Sequence, residues 1–562
     1  KRTAQRERER ERERTPERMA DVVAAVSGEE LPDELAHSSE LPNFRYSYDR
    51  ERYEEGGREG VNRFLRHLQV TLGEKNTSEV HNLYEHDFNK ISEKHFQESN
   101  WPSPEAVASV VDEDPLFGLL YRELYYRHFY AKCSDRLTLE ERRLSWETYS
   151  QLFSTIIESE SLGVDIPNQW LWDMIDEFIF QFQAFCQYKM RIKSMPTDEL
   201  ETLMEGEGEI WNPTAVIRFL ETLRDRSGVC ALLDQEREGK VDPKELWEEG
   251  PHHVKRMLGY FSIIGLLRVF VLLGDYQTAL RCMDPIDLTR KGLYARLTVC
   301  QITTYYYLGF AYLMQRRYVD AIRSFTTILI YLSRTKQFHT RSYQYENMIK
   351  KNEHLYGLLC MAVALNPMRV EETVHSNMKD KWSEQMIKMQ KGDLETFESV
   401  FMRCAPRFVT GSEPNYEEEP LENHHWEPRK LQFKHFAEDI PVMFQLQDVR
   451  SFLKLYTSIP VSKIASFLSV SEEEFRSMTL RLKRKSRQLV WSSGPAYSGE
   501  WTTTGEVDFY VDKDMVYISD VKMSRRYVEY FIRQIGKFET LNQNIARKAL
   551  ASGAGVSAGP GR

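Results

Sequence analysis

A mainly α fold is predicted for this 562-residue chain: an irregular helical solenoid of tetratricopeptide (TPR-like) character, ending in a winged-helix module and a C-terminal bundling helix. Three observations predict it. Apolar residues recur three and four apart, as one buried helix face requires, from about Gly60 onward. One stretch is echoed forty-two positions later, the signature of stacked helical units. Near the C-terminus, short helical patterns give way to alternating strands and then to one long amphipathic helix.

The module occupies residues 441–520. A first helix carries Val449, Phe452, Leu453 and Tyr456, and Pro460 punctuates it. A second, short helix carries Val461, Ile464, Ala465 and Leu468. Ser471 and Glu474 then form a predicted capping box, in which the hydroxyl accepts an early backbone N–H and the carboxylate reaches back. After a Gly/Ser/Thr loop, Val507, Phe509 and Val511 alternate with polar residues, Asp512-Lys513-Asp514 turns the chain, and Met515–Ile518 returns as a second strand, making a hairpin wing.

In the segment 521–548, Tyr527, Tyr530, Phe531, Ile535, Phe538 and Leu541 form a stripe that no later element can cover. Burying side chains of this size is worth about 1.5–3 kcal/mol each, roughly 9–18 kcal/mol gross, before ordering and association costs. The stripe is therefore expected to be a partner-helix interface in a bundle with other chains, against the alternative that it folds back on its own domain.

Bulk properties narrow the function classes. The net charge is −10, and Lys1–Arg18 alone carries eight basic and five acidic residues, so the remainder stands at −13. A body this acidic is no general nucleic-acid coat, because counterion release needs clustered positive charge, so any RNA contact is expected to be local. Seven widely spaced cysteines without a Cys-x-x-Cys pair point to a reducing, cytoplasmic compartment. The most apolar stretch, Phe261–Leu273, is interrupted by Arg268, so a soluble chain without a membrane partner is expected. The Arg-Glu opening lacks the apolar region of a secretory signal, and Met19 is a candidate natural start.

In order, residues 1–55 are expected to be a disordered or lightly ordered arm, 56–250 an N-terminal helical domain, and 251–410 TPR-like repeats. Residues 411–440 read as an acidic linker with a connecting helix, and 549–562 as a disordered tail. Trp101-Pro102-Ser103-Pro104 should break the chain and open a helix. Leu116–Lys132 is aromatic on most sides, as a helix wedged between neighbours would be. The repeat pairs Gly274–Arg281 with Arg316–Arg323; in the second copy Gly309 and Ala321 allow two helices to approach while Tyr312 and Phe325 fill the gap.

A search for chemistry finds no phosphate loop, zincin helix, nucleophile elbow or zinc-type cysteine cluster. No catalytic residue, metal ligand or cofactor is assigned. His128 and Cys133 read as core residues, and Asp173, Asp176 and Glu177 as a solvated helix face rather than an acid–base pair. Glu372/His375 and Glu422/His425 have a di-iron spacing, but the second pair lies in a Pro-containing polar linker. The most functional-looking charges are Arg481, Lys483, Arg484, Lys485 and Arg487, placed on the third helix of the module: a candidate RNA contact, weighed against a solvated or protein-docking face.

Several longer stretches resemble one family: LYRELYYRHFYAK (Leu120–Lys132), IPNQWLWDMIDEFIFQFQ (from Ile166), RMLGYFSIIGLLR (Arg256–Arg268), TTYYYLGFAYLMQRRYVDAIR (Thr303–Arg323), RSFLKLYTSIPVSKIASFL (Arg450–Leu468) and EVDFYVDKDMVYISD (Glu506–Asp520). They are similar to the L-subunit family of eukaryotic translation initiation factor three, one of the PCI-domain families that also serve the proteasome lid and the signalosome. The resemblance runs from about Phe64 to about Leu541 and leaves out the Arg-Glu opening and the small-residue tail. It implies a non-catalytic scaffold subunit that supports small-ribosomal-subunit binding and initiation-complex assembly. Implied partners are the K subunit, sister PCI subunits, the small ribosomal subunit and local rRNA or mRNA. The alternatives are a PCI subunit of the lid or signalosome, an RNA-binding winged-helix protein, and a cryptic enzyme.

Overall fold

The computed structural model describes residues 58–111, 114–159, 162–191, 195–204, 210–238, 240, 252–288, 292–335, 343–411, 426–492, 494–503, 507–520, 530–542 and 544–545. The expected arm at 1–55, the tail at 549–562, Tyr527 and the Glu422/His425 pair lie outside the described residues. The fold is mainly α. It divides into two compact units, Lys1–Leu68 and Gln69–Arg562. The first contributes the opening turns of a helix, Arg58–Gly73.

The second unit begins with helical segments Thr77–Asn82 and Phe88–His95, joined by a π-helical turn at Leu83–Asp87. Ser103 then caps a short helix by accepting from Ala106 N, with Pro104 in its first turn where no N–H is needed. The helices that follow are α1 (Pro115–Lys132), α2 (Leu139–Glu158), α3 (Asn168–Lys189), α4 (Pro213–Arg226) and α5 (His253–Leu273). The aromatic α1 is buried on several sides, through Phe117, Tyr121, Tyr126, Phe129 and Tyr130.

Helix α5 is the pivot of the core, packing on α3, α4, α6 (Tyr276–Cys282) and α7 (Thr298–Met314). By length and composition it could cross a membrane, with mean hydropathy 1.8, yet 83% of its most apolar window is buried inside the fold. Arg268, the charge that interrupts it, is buried against Asp176 and donates to the Asp176 carbonyl at 3.2 Å.

The repeat has a structural counterpart. Gly274 and Arg316, forty-two apart, both sit in the left-handed region, at φ 85° and 62°, between paired helices. Ala279, Leu280, Ala321 and Ile322 are all fully buried at matching positions. Between α7 and α8 (Tyr318–Thr335), a Cβ on Gly309 would lie 2.5 Å from the Phe325 ring, so glycine is required for the approach. Helices α9 (Tyr345–Leu365), α10 (Glu372–Gln390) and α11 (Leu394–Cys404) extend the stack, and α12 (Glu427–Ala437) leads out of it.

The C-terminal module opens with α13 (Ile440–Leu453), and Tyr456 falls beyond the end of that helix. Strand β1 (Ser458–Pro460), α14 (Val461–Leu468) and α15 (Glu472–Ser486) follow. Ser471 caps α15 by accepting from Glu474 N at 3.2 Å. Strands β4 (Val507–Asp512) and β5 (Met515–Asp520) form the expected hairpin, and β1 joins it in the order β1-β5-β4. Val449, Leu453, Ile459, Val461, Ile464, Phe475, Phe509 and Val516 share one buried core.

Two expectations are corrected here. The Gly/Ser/Thr segment is not simply a loop: β2 (Arg487–Val490) pairs antiparallel with β3 (Glu500–Thr503) as a second, two-stranded sheet. Arg487 is accordingly not on α15. The helix ends at Ser486, and Arg487 is extended at φ −87°, ψ 121° as the first residue of β2. A last helix spans 530–542.

Candidate partner-binding surfaces

The strongest apolar feature is the helix over 530–542. Tyr530, Phe531, Ile535, Phe538 and Leu541 are each more than half exposed, at 54%, 59%, 57%, 62% and 54%. They fall within about 140° of the helix circumference at 100° per residue. Ile532 and Ile545 are exposed as well. Such a stripe remains uncovered by its own chain among the described residues, at a cost in exposed apolar area that a partner helix would remove.

The sheet of the module offers an edge at β4. At Phe509 that edge is already closed: the backbone N–H donates to Asp508 Oδ1 at 3.0 Å, and the carbonyl accepts from Lys483 Nζ at 2.7 Å. Lys483 and Asp508 also pair, at 3.5 Å. A side-chain clip of this kind is one way a sheet edge is kept from pairing with another strand.

The basic cluster is split by the fold. Lys483 serves the clip, and Lys485 donates to Asp439 Oδ1 at 2.9 Å, half-buried between the module and the repeats, where burial and then the charges of Arg316 and Arg484 hold its pKa below the ordinary lysine range. Arg481, Arg484 and Arg487 remain exposed. The five residues are therefore not one face.

A seam fixes the module against the repeats. Asp439, just ahead of α13, pairs with both Arg316 and Lys485. Arg317 and Asp320, only 5% and 3% exposed, form an ion pair at 2.8 Å. Arg317 donates to the carbonyls of Tyr497 at 3.0 Å and Ser498 at 2.9 Å, while Tyr312 donates to that of Ala496 at 2.8 Å. Asp320 accepts from Trp491 N at 3.0 Å, and Gln488 Oε1 accepts from Val319 N at 3.4 Å. None of these contacts was visible in the sequence, because their β2–β3 half lay in a segment without periodicity.

The expected solvated face at Asp173, Asp176 and Glu177 is corrected at Asp173, while Asp176 keeps a 40% exposed side chain and Glu177 is half-buried. Asp173 is buried and accepts from Tyr84 at 2.7 Å, Tyr343 at 2.5 Å, Gln169 at 3.0 Å and Gln344 at 3.1 Å. The π-helical turn is what brings Tyr84 to it. Glu123, wholly buried, accepts from Trp170 Nε1 at 3.0 Å and Tyr149 at 3.2 Å. Arg127 reaches Glu123 and Tyr84 and lies 4.0 Å from Asp173. Burial pushes the carboxyls of Glu123, Asp173 and Glu177 up to about 8, 6 and 7. The network is a closed structural tie: every donor named is a fixed side chain of the fold.

The remaining candidates read as structural. His128 Nε2 lies 2.9 Å from the Phe96 carbonyl, and burial lowers its pKa. Cys133 is buried and unbridged. Glu372 and His375 sit on the opening of α10, and among the described residues no group of three metal-ligating side chains occurs.

Comparison with known proteins gives the family of the chain. The family described as "RNA polymerase I-associated factor PAF67" matches residues 141–538. A Danio rerio protein named "Eukaryotic translation initiation factor 3 subunit L" is 46% identical over 478 residues, covering 84% of this chain and 83% of its own. The proteins of that name from Nematostella vectensis and Homo sapiens are 43% and 44% identical, over 87% and 83% of this chain and 93% and 83% of theirs. At that identity over most of both lengths, this chain belongs to the family of eukaryotic translation initiation factor 3 subunit L.

Proposed function

We propose that this chain is a non-catalytic scaffold subunit of the eukaryotic translation initiation factor 3 complex, acting in the cytoplasm to support small-ribosomal-subunit binding and initiation-complex assembly. The observation that carries this reading is the uncovered apolar stripe of Tyr530, Phe531, Ile535, Phe538 and Leu541, which suits a helical bundle with sister subunits, the K subunit among them. Tyr527 would extend the stripe. The left-handed turns at Gly274 and Arg316, with Gly309 packed on Phe325, support reading the middle of the chain as TPR-like repeats. The order α13, β1, α14, α15, β4, β5 supports a winged-helix reading of the module, hence a PCI arrangement. The scaffold role needs no cofactor.

The test is expression of the chain with Phe531→Asp and Phe538→Asp, followed by mass spectrometry of what copurifies at mild salt. Initiation-factor subunits should be lost while helicity by circular dichroism is retained. Normal occupancy of the complex by the double variant would sink the bundling role. Copurification of the native chain with proteasome-lid, signalosome or RNA polymerase I subunits instead would redirect the assignment.

A further inference from the structure

We propose that the outer face of the β2–β3 hairpin, together with the exposed arginine edge of α15, is a binding platform for single-stranded RNA, with Trp501 as its stacking residue. In the β2–β3 register Arg487 opposes Thr503 and Leu489 opposes Trp501, two positions apart, so Arg487 and Trp501 project from the same face. The other face is spent: Gln488 and Val490 are buried, with Gln488 bonded to Val319 of α8. Trp501 is 73% exposed, an unusual position for the largest apolar ring in a folded chain.

Arg487 shares the face of that ring, and further positive charge lies along the helix that leads into β2. Arg487 N–H bonds to the Arg484 carbonyl at the end of α15, so the backbone carries the exposed Arg484 directly into β2, and Arg481 lies one turn earlier on the same helix, also exposed. Three acidic groups of the module are paired with other cations: Asp508 with Lys483, Asp439 with Lys485 and Arg316, and Asp514 with Arg476. Glu500 belongs to the register pair with Val490 and projects to the opposite face from Trp501. The result is an exposed indole sharing its sheet face with Arg487, and two further exposed arginines on the helix that runs into that strand, on a chain that is acidic overall.

That combination fits unpaired nucleotides. A base can stack on the indole while the flanking phosphates meet guanidinium groups, and neither contact reads sequence. A duplex hides its bases and offers the ring nothing to stack on. The platform stands on the rigid side of the seam, since the same hairpin is held to Arg317 and Asp320 from behind. It is independent of the bundling helix.

The test measures binding of a fluorescein-labelled oligouridylate to the purified full chain by anisotropy, across a salt series, with a duplex of equal length alongside. The native chain should prefer the single strand, with a log–log salt slope of about −2, as three phosphate contacts require. Trp501→Ala should weaken binding by roughly 5- to 100-fold with the slope kept. Arg481→Gln, Arg484→Gln and Arg487→Gln together should abolish most of the slope. All four positions are exposed, and circular dichroism would verify folding. Unchanged affinity in both variants, or equal affinity for the duplex, overturns the proposal. Loss of copurifying subunits in these variants with RNA affinity intact would mark the face as a protein contact and overturn it too. Because the assay contains only this chain and RNA, its failure leaves the scaffold reading standing.

Discussion

Arg317 and Asp320, one turn apart in the second repeat copy, face each other across 2.8 Å in the interior and between them hold two stretches of the β2–β3 connection, at Trp491 and at Tyr497 and Ser498. A buried pair of this kind gains little over an apolar filling, but breaking it leaves a charge without a partner. Arg317→Met should therefore cost about 3–5 kcal/mol locally, and Arg317→Met with Asp320→Leu distinctly less. Hydrogen exchange of Trp491 and the β2–β3 amides reads this out, with protection falling by roughly two orders of magnitude or more in the single variant.

The Gly309–Phe325 contact supplies a second expectation. Gly309→Ala would drive a methyl to 2.5 Å from the ring, and overpacking of this sort costs about 1–3 kcal/mol. Phe325→Leu in the same chain should recover part of it. Thermal melts of the two single variants and the double variant form the cycle, and strict additivity would show that the ring simply moves away.

The carboxyl network makes stability pH-dependent in a definite sense. Glu123, Asp173 and Glu177 hold protons more tightly folded than unfolded, because burial outweighs the hydrogen bonds of Trp170 and Tyr149 to Glu123 and the charge of Arg127 on the other two. The folded chain thus binds more protons, and stability falls as pH rises from the ordinary carboxylate value of 4.5 through the Glu123 value of about 8. Glu123→Gln, which keeps an acceptor for Trp170, should flatten that slope by up to one proton, about 1.4 kcal/mol per pH unit. Calorimetry between pH 5 and 8.5 would follow it, and an unchanged slope would assign the titration to the other members.

Opening the clip at Phe509 should expose a strand edge. Lys483→Met with Asp508→Ala frees the Phe509 carbonyl and N–H, and sedimentation should then detect concentration-dependent self-association that the native chain lacks at equal concentration.

Local grammar made much of this architecture readable. Pro104 after Ser103, the serine cap at Ser471, the left-handed glycine at Gly274 and the close approach at Gly309 are decided within a few residues. The exposed stripe over 530–542 was legible from the three-and-four spacing of Phe531, Ile535, Phe538 and Leu541. What escaped depended on distant partners. Asp173 looks solvent-facing until Tyr84 and Tyr343, 89 and 170 positions away, are brought to it. The strands β2 and β3 are four residues each and are stabilised by Arg317 and Asp320, which no local pattern connects to them. Lys483, Lys485 and Arg487 read as one charged helix face because their partners are distant in sequence; the structure ties Lys483 to the Phe509 carbonyl, half-buries Lys485 against Asp439 and puts Arg487 on a strand.

The seam also has a thermodynamic consequence for anything that docks on the module. Asp439, Arg317 and Asp320 set the tilt of α15 and of both sheets relative to the repeats before any encounter takes place. A visitor to that side meets a surface whose orientation is already decided, so the encounter costs little internal ordering and more of the contact energy is retained as affinity.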